Sequence, residues 1–333
     1  MRFHLKPPRE QRHASRAQRA RLGEGELLLA IVRSCLPSGF EPASVTGSVQ
    51  SYHPDRFVMR VQVRSSGADE LQFAVKVYSD DFGAEMWALT RRLASNGDPY
   101  PHGLCLPTRY VAHERALVFP WVSGEFLSDI VDERKPELLR QAAKLAAELH
   151  CLPIVPGAPS MPQEMLDDAL GRWERLRLHW PAAVPIVEPL LELLRDGFDR
   201  LDPFVPALVH GDLAAGQFIW TGDRLVLLDL DMFGYTDPAY DAGHFLGQLE
   251  RRCLLDSTLP PHAGRWIACF RDTYLEAMPG VSARNVAFYQ GLTLIRKIYT
   301  LCRTRQEGPA IVPPLGRRAR AALEQAASAR WSR

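Results

Sequence analysis

The feature that most narrows the choice of fold is a change of hydrophobic period part-way along the chain. Residues 56–64 read RFVMRVQVR and residues 71–78 read LQFAVKVY. Both alternate apolar with polar side chains, the pattern of a half-buried strand. Gly67 lies between them, so the two runs form an antiparallel hairpin. A helical stretch follows at about 83–95, with Met86, Leu89 and Leu93 on one face, and residues 115–122 (RALVFPWV) read as a further strand leading into Ser123-Gly124. Beyond that point apolar residues recur at helical spacing, over 137–150, 165–179, 186–201, 263–277 and 286–304, broken by a stretch of strand and turn at 207–234. A small antiparallel-sheet part followed by a larger, mainly helical part is an α+β arrangement of two lobes. The boundaries expected are a basic N-terminal arm at 1–22, a first lobe at 23–122 and a second at 123–333.

Length and charge remove several classes of function. At 333 residues the chain can bury a core in each of two lobes. Its 40 Lys and Arg against 39 Asp and Glu give a net charge of +1, without the excess that nucleic-acid or membrane-surface binding calls for. No apolar run approaches the ~18 residues of a membrane span. The basic arm (Arg2, Lys6, Arg9, Arg12, Arg16, Arg19, Arg21) has no apolar stretch behind it, so it reads as a solvated, mobile arm rather than a secretory leader. The six cysteines are widely spaced and form no Cys-x-x-Cys pair, which fits reduced thiols in a cytoplasmic protein. Nothing in the sequence points to a protein partner.

The chemistry concentrates in residues 210–241, HGDLAAGQFIWTGDRLVLLDLDMFGYTDPAYD. A His-x-Asp opens a loop, Gln217 lies five residues after Asp212, and a short hairpin delivers Asp229 at a strand end. This is the layout of a kinase catalytic loop followed by a metal-binding aspartate. Phosphoryl transfer needs these residue types. The triphosphate of ATP repels an incoming hydroxyl oxygen, and Mg2+ relieves that repulsion while preferring oxygen ligands. Asp229 offers a carboxylate oxygen and Gln217 an amide oxygen; Asp212 can orient the acceptor hydroxyl and take its proton. Upstream, Phe73-Ala74-Val75-Lys76 matches a strand whose lysine pairs with nucleotide phosphates, and Glu85 on the following helix is placed to pair with Lys76.

The His-Gly-Asp tripeptide, the Asp229 strand and GYTDPAYDAG at 234–243 resemble the aminoglycoside phosphotransferase and choline-kinase-like families of small-molecule kinases, over roughly residues 58–304. The resemblance implies a protein-kinase-like two-lobe fold. It also implies adenine held by backbone groups around Phe119, Trp121 and Val122, and an acceptor bound against the C-terminal helices. His210 would support the loop, and Asp237 and Asp241 would be architectural. The chain departs from the family pattern in three places. Gly211 stands where regulated protein kinases carry Arg, Gln217 stands where Asn is usual, and Thr46-Gly47-Ser48 supplies one glycine in place of a glycine-rich loop.

The resulting expectation is an ATP- and Mg2+-dependent phosphotransferase acting on a hydroxyl of a small polar molecule: a sugar, an amino alcohol or an aminoglycoside-like compound. The alternative is a nucleotide-binding pseudokinase acting as a scaffold. A polycationic acceptor calls for an acidic cleft, yet Arg251, Arg252, Arg265 and Arg271 accompany Glu250, Asp256 and Asp272, with no acidic stripe. Asp231 reads as a turn carboxylate satisfied by backbone amides, His150 and His244 as helix residues in or beside the core, and Trp173 and Trp180 as core packing.

Overall fold

The computed structural model describes residues 25–67, 69–94, 98–304 and 308–328; the arm expected at 1–22 lies outside them. The chain divides into two units. One holds the described residues up to Gly124 together with Val226–Asp231; the other holds Glu125–Leu225 and the chain from Met232 onward.

The first unit opens with helix α1 (Gly25–Val32) and strands β1 (Pro42–Tyr52), β2 (Arg56–Ser65) and β3 (Glu70–Tyr78). Helix α2 (Phe82–Thr90) follows, then β4 (Arg109–Val111) and β5 (Ala116–Pro120). The strands form one antiparallel sheet in the order β1-β2-β3-β5-β4. The alternation in β2 is realised directly: Phe57, Met59, Val61 and Val63 are buried and join Val75, Val77, Val118 and the α1 residues Leu28, Ile31 and Val32 in one core. Fully burying each such side chain contributes about 1.5–3 kcal/mol. The intervening residues face the other side of the sheet, and the register sets Arg56 opposite Tyr78 and Val58 opposite Lys76. Thr46-Gly47-Ser48 falls inside β1, paired with Gln62, Val61 and Arg60 of β2.

The second unit begins with β6 (Glu125–Phe126) and helices α3 (Lys135–His150), α4 (Pro162–His179) and α5 (Val184–Phe198). Next come β7 (Ala207–Val209), β8 (Phe218–Trp220) and β9 (Leu225–Leu227), the last carrying the chain into the first unit, and then β10 (Gly234–Thr236). Helices α6 (Ala239–Leu255), α7 (Pro260–Ala277), α8 (Ala283–Thr304) and α9 (Gly308–Ser328) complete it. Prolines in the first turns of α3, α4, α5 and α7 sit where a missing N–H costs nothing. Helix α8 packs against α4, α6 and α9, and α3 packs against α7. Among the described residues no helix is long and apolar enough to cross a membrane, and the cysteines are free thiols.

Helices α6 and α8 approach closely at Gly243. A Cβ added at Gly243 would lie 2.5 Å from the Val286 carbonyl oxygen and 2.7 Å from the Gln290 nitrogen, backbone atoms that cannot swing aside. Gly243→Ala therefore has to push the helices apart. We expect it to lower stability by about 1–3 kcal/mol, measured by urea unfolding; an unchanged midpoint would contradict so tight a crossing.

Candidate active site

In the first unit, the face of the sheet opposite the core gathers a charged cluster. The Lys76 ammonium donates to Asp229 Oδ1 at 2.6 Å and pairs with Asp231 Oδ2 at 2.7 Å. Arg56 Nε lies 3.0 Å from the same Asp231 oxygen, and the Tyr78 hydroxyl donates to Asp231 Oδ1 at 2.7 Å. Strand alternation puts Arg56, Lys76 and Tyr78 on one face, while the carboxylates arrive on the segment beyond β9. That segment is tied down by a bridge from Leu227 to Leu104 and a hydrogen bond from the Cys105 N–H to the Leu227 carbonyl at 2.9 Å. Burial works against a charged Lys76, but the charges of Asp231 and Asp229 outweigh it and hold its pKa above the ordinary lysine value. Asp229 has φ of 60°, a left-handed backbone that costs a side-chain-bearing residue free energy, and its carboxylate is 37% exposed.

Two expectations are corrected here. Glu85 is exposed on α2 and makes no ion pair with Lys76; the buried ammonium takes the two carboxylates presented beside it. Asp231 is held by side chains, Lys76, Arg56 and Tyr78, rather than by backbone amides of its turn. Of the expected adenine residues, Phe119 lies in β5 opposite Ala74. The Trp121 N–H donates to the Gln72 carbonyl at 3.3 Å with Arg60 4.7 Å above its ring, and Val122 is buried.

In the second unit the loop after β7 is fixed by one carboxylate. Asp241, on the first turn of α6, accepts from the His210 N–H at 2.6 Å and the Gly211 N–H at 2.9 Å, and lies 3.1 Å from His150 Nε2. His150 in turn reaches the Tyr274 hydroxyl at 2.8 Å. Burial raises the Asp241 pKa, but His150, His210 and the Gly211 N–H more than compensate, leaving it below the usual carboxylate range. Gly211 has φ of 82°, and a Cβ there would lie 2.1 Å from the Met232 carbonyl oxygen, so only glycine fits the bend.

Asp212 emerges from that bend with its side chain 44% exposed. Its Oδ1 lies 3.0 Å from His244 Nε2, and His244 Nδ1 lies 3.2 Å from Thr293 Oγ1 on α8. Burial, followed by Lys297 and Arg296, lowers the His244 pKa against the pull of Asp212, so the ring is neutral at pH 7. With the proton assigned to Nε2, the ring donates to Asp212 and accepts from Thr293. Burial pushes the Asp212 carboxyl up, yet the His244 hydrogen bond, with the charge of Lys297 further off, holds it below its usual value. Asp212 is thus ionised across the neutral range. Gln217 closes a single 3-10 turn after the loop, its N–H donating to the Ala214 carbonyl at 2.9 Å, with a half-buried side chain.

The sequence reading missed Asp231 as the shared anion of the first cluster and His244 as the partner of Asp212. The signal for His244 was faint: it sits on a helix whose two glycines, Gly243 and Gly247, lower helix propensity and hide its period. The Asp231 and Glu85 results separate cleanly by unfolding. Asp231→Asn leaves two buried cations under-neutralised and should cost about 3 kcal/mol, whereas Glu85→Gln should stay within about 0.5 kcal/mol; equal losses would restore the Glu85 pairing.

A model of the phosphotransferase enzyme family matches residues 50–280. No curated protein matches the chain. Among solved structures, a spectinomycin phosphotransferase in complex with ADP and spectinomycin aligns over 92% of this chain and 98% of its own, with TM-score 0.59 and 11% identity. A thermostable mutant of an aminoglycoside phosphotransferase, in ternary complex with ADP and hygromycin B, covers 92% of this chain and 99% of its own, with TM-score 0.62 and 14% identity. Choline kinase LicA from Streptococcus pneumoniae covers 90% and 98%, with TM-score 0.56 and 14% identity. At these identities the structures establish a shared protein-kinase-like fold, while the family match spans more than half of the chain. The chain belongs to the phosphotransferase enzyme family and is an enzyme of the small-molecule kinase class.

Proposed function

We propose that the enzyme transfers the γ-phosphoryl group of ATP to a hydroxyl of a small polar molecule in a magnesium-dependent reaction. The observation that carries this reading is Asp212: an ionised, partly exposed carboxylate on a loop pinned through two backbone N–H bonds to Asp241, with a neutral histidine fixing its orientation. A carboxylate so placed can accept a hydrogen bond from an acceptor hydroxyl and take its proton as the oxygen–phosphorus bond forms. Because His244 is neutral, it orients Asp212 without cancelling the negative charge that draws the hydroxyl proton. Solved neighbours in complex with ADP support a nucleotide donor.

We assign the nucleotide phosphates to Lys76 and adenine to the backbone around Phe119, Trp121 and Val122. The chemistry of Asp229 fits a magnesium ion: it offers a hard carboxylate oxygen, and magnesium takes one or two protein carboxylates, with waters and phosphate oxygens completing its shell; Gln217 is assigned a metal role from its place in the motif alone. Among the described residues no group of three or more His, Cys, Asp or Glu side chains could by itself hold a metal ion. Bound there, the metal would neutralise charge on the triphosphate. The strained backbone of Asp229 holds its carboxylate out of the alignment an extended strand would give it, the kind of cost that persists where a side chain must be aimed. Lys76 then changes partners, from Asp229 and Asp231 to phosphate oxygens, keeping its charge neutralised throughout. We place the reaction in the cytoplasm, where the free thiols stay reduced.

A thermal-shift titration with ATP, in magnesium and again in EDTA, tests the donor half of this reading. ATP at a hundred times its dissociation constant should add about 2.7 kcal/mol, a rise on the order of 2–4 °C per kcal/mol. The magnesium-dependent part should vanish in Asp229→Ala. The absence of any shift with purine nucleotides would remove the kinase reading, and a shift without turnover of any acceptor would favour a scaffold.

A further inference from the structure

When Lys76 turns to a nucleotide phosphate, it leaves the Asp231 carboxylate behind. The Asp231 side chain is only 8% exposed, so its charge needs a partner inside the protein. Asp229 is different: at 37% exposure it can meet solvent or a metal ion. The two oxygens of Asp231 are held unequally. Its Oδ1 accepts from the Tyr78 hydroxyl at 2.7 Å, while Oδ2 is shared by the Lys76 ammonium at 2.7 Å and Arg56 Nε at 3.0 Å. With Lys76 gone, each oxygen still has a partner, Tyr78 on Oδ1 and Arg56 on Oδ2.

Tyr78 supplies a hydrogen bond but no charge, so the counter-charge has to come from Arg56. That side chain is already fixed in place. Its Nη1 donates to both Asp55 oxygens, at 3.2 and 3.1 Å, while Nε faces Asp231. A planar guanidinium can bridge two carboxylates in this way, which a lysine ammonium on its flexible stem does less well. The backbone around it is tied down too. His53 and Arg56 close the turn between β1 and β2 by exchanging N–H bonds to each other's carbonyls, at 2.8 and 3.4 Å. The Asp55 carbonyl accepts from the Ser79 N–H at 2.9 Å, just past the end of β3. The cation that Asp231 needs after Lys76 departs is therefore present before any nucleotide arrives, and no group has to be rearranged to supply it.

We propose that Arg56 is a positioning residue for nucleotide binding: by holding the charge of Asp231 at Oδ2, it releases Lys76 to the phosphates. This rests on the assignment of the phosphates to Lys76 and adds a second residue to it. Arg56 acts through Asp231 and not by touching the nucleotide. Without it, Lys76 is the only cation on Asp231, and drawing Lys76 away uncovers a buried carboxylate. Phosphate and Asp231 then compete for one ammonium, and the phosphates bind more weakly. Adenine, assigned to the backbone around Phe119, Trp121 and Val122, takes no part in that competition.

The test compares adenosine with ATP, both in magnesium, by calorimetric titration of wild type and variants. Arg56→Gln should weaken ATP about 10- to 100-fold and leave adenosine unchanged, a split that a general loss of structure does not produce. Arg56→Lys keeps the charge and should recover most of the loss. Arg56→Gln combined with Asp231→Asn removes the cation together with the carboxylate it holds, and should bind ATP as Asp231→Asn alone does. That pair also carries the test if Arg56→Gln by itself does not fold. Unchanged ATP affinity in Arg56→Gln would overturn the proposal, as would equal losses for adenosine and ATP. Further weakening of ATP when Arg56→Gln is added to Asp231→Asn would overturn it too, because Arg56 would then act without Asp231. Wild type that binds ATP no more tightly than adenosine would overturn the phosphate assignment itself, a result read before any substitution is made.

Discussion

The second unit depends on one buried carboxylate. Asp241 has no solvent contact, so its charge must be met inside the protein, and it is met by two backbone N–H groups and an imidazole. Hydrogen bonds to a charged acceptor contribute about 1.5–3 kcal/mol each. Their value here is geometric as well as energetic. The two N–H groups belong to His210 and Gly211, so the first turn of α6 dictates the path of the loop before Asp212. Gly211 completes the constraint, because its left-handed bend and its approach to Met232 leave no space for a side chain. The same helix carries His244, which holds Asp212 from the other side. One helix thus fixes both the position and the ionisation of the carboxylate.

The acidic groups of the two units are tuned in different ways. In the first, Asp229 and Asp231 face cations, and Asp231 is enclosed by Lys76, Arg56 and Tyr78. That arrangement suits a site where positive charge must be stored and exchanged. In the second, the immediate neighbour of Asp212 is a neutral ring, and the cations stand further back. The negative charge remains available to a hydroxyl.

Much of the fold was legible because short-range pattern coincided with burial. The alternation of 56–64 and 71–78 gave β2 and β3 and, through their register, the face on which Lys76 lies. Helices α3, α4, α5, α7 and α8 followed from their apolar periodicity. Helix α9 was not read, since Pro313 and Pro314 interrupt its pattern, and tertiary contacts carry the helix through them. Helix α6 was anticipated only at His244 and not as a periodic run, since Gly243 and Gly247 interrupt its pattern where α8 approaches closely. Within the site, the His-x-Asp loop and Asp229 were visible as a motif. The choice of Asp231 over Glu85 was not, because sequence distance ranks Glu85 nearer to Lys76 while the fold brings a carboxylate from a segment more than 150 residues away.

The central claim is that Asp212 directs the transfer of a phosphoryl group to an acceptor hydroxyl. The most direct measurement incubates the enzyme with magnesium, γ-labelled ATP and a mixed hydroxyl-acceptor pool, and follows label into product by mass spectrometry. The account predicts an acceptor heavier by one labelled phosphoryl group with wild type, and loss of that product in Asp212→Asn while nucleotide binding and melting temperature are retained. Undiminished labelling of acceptor by Asp212→Asn would contradict it.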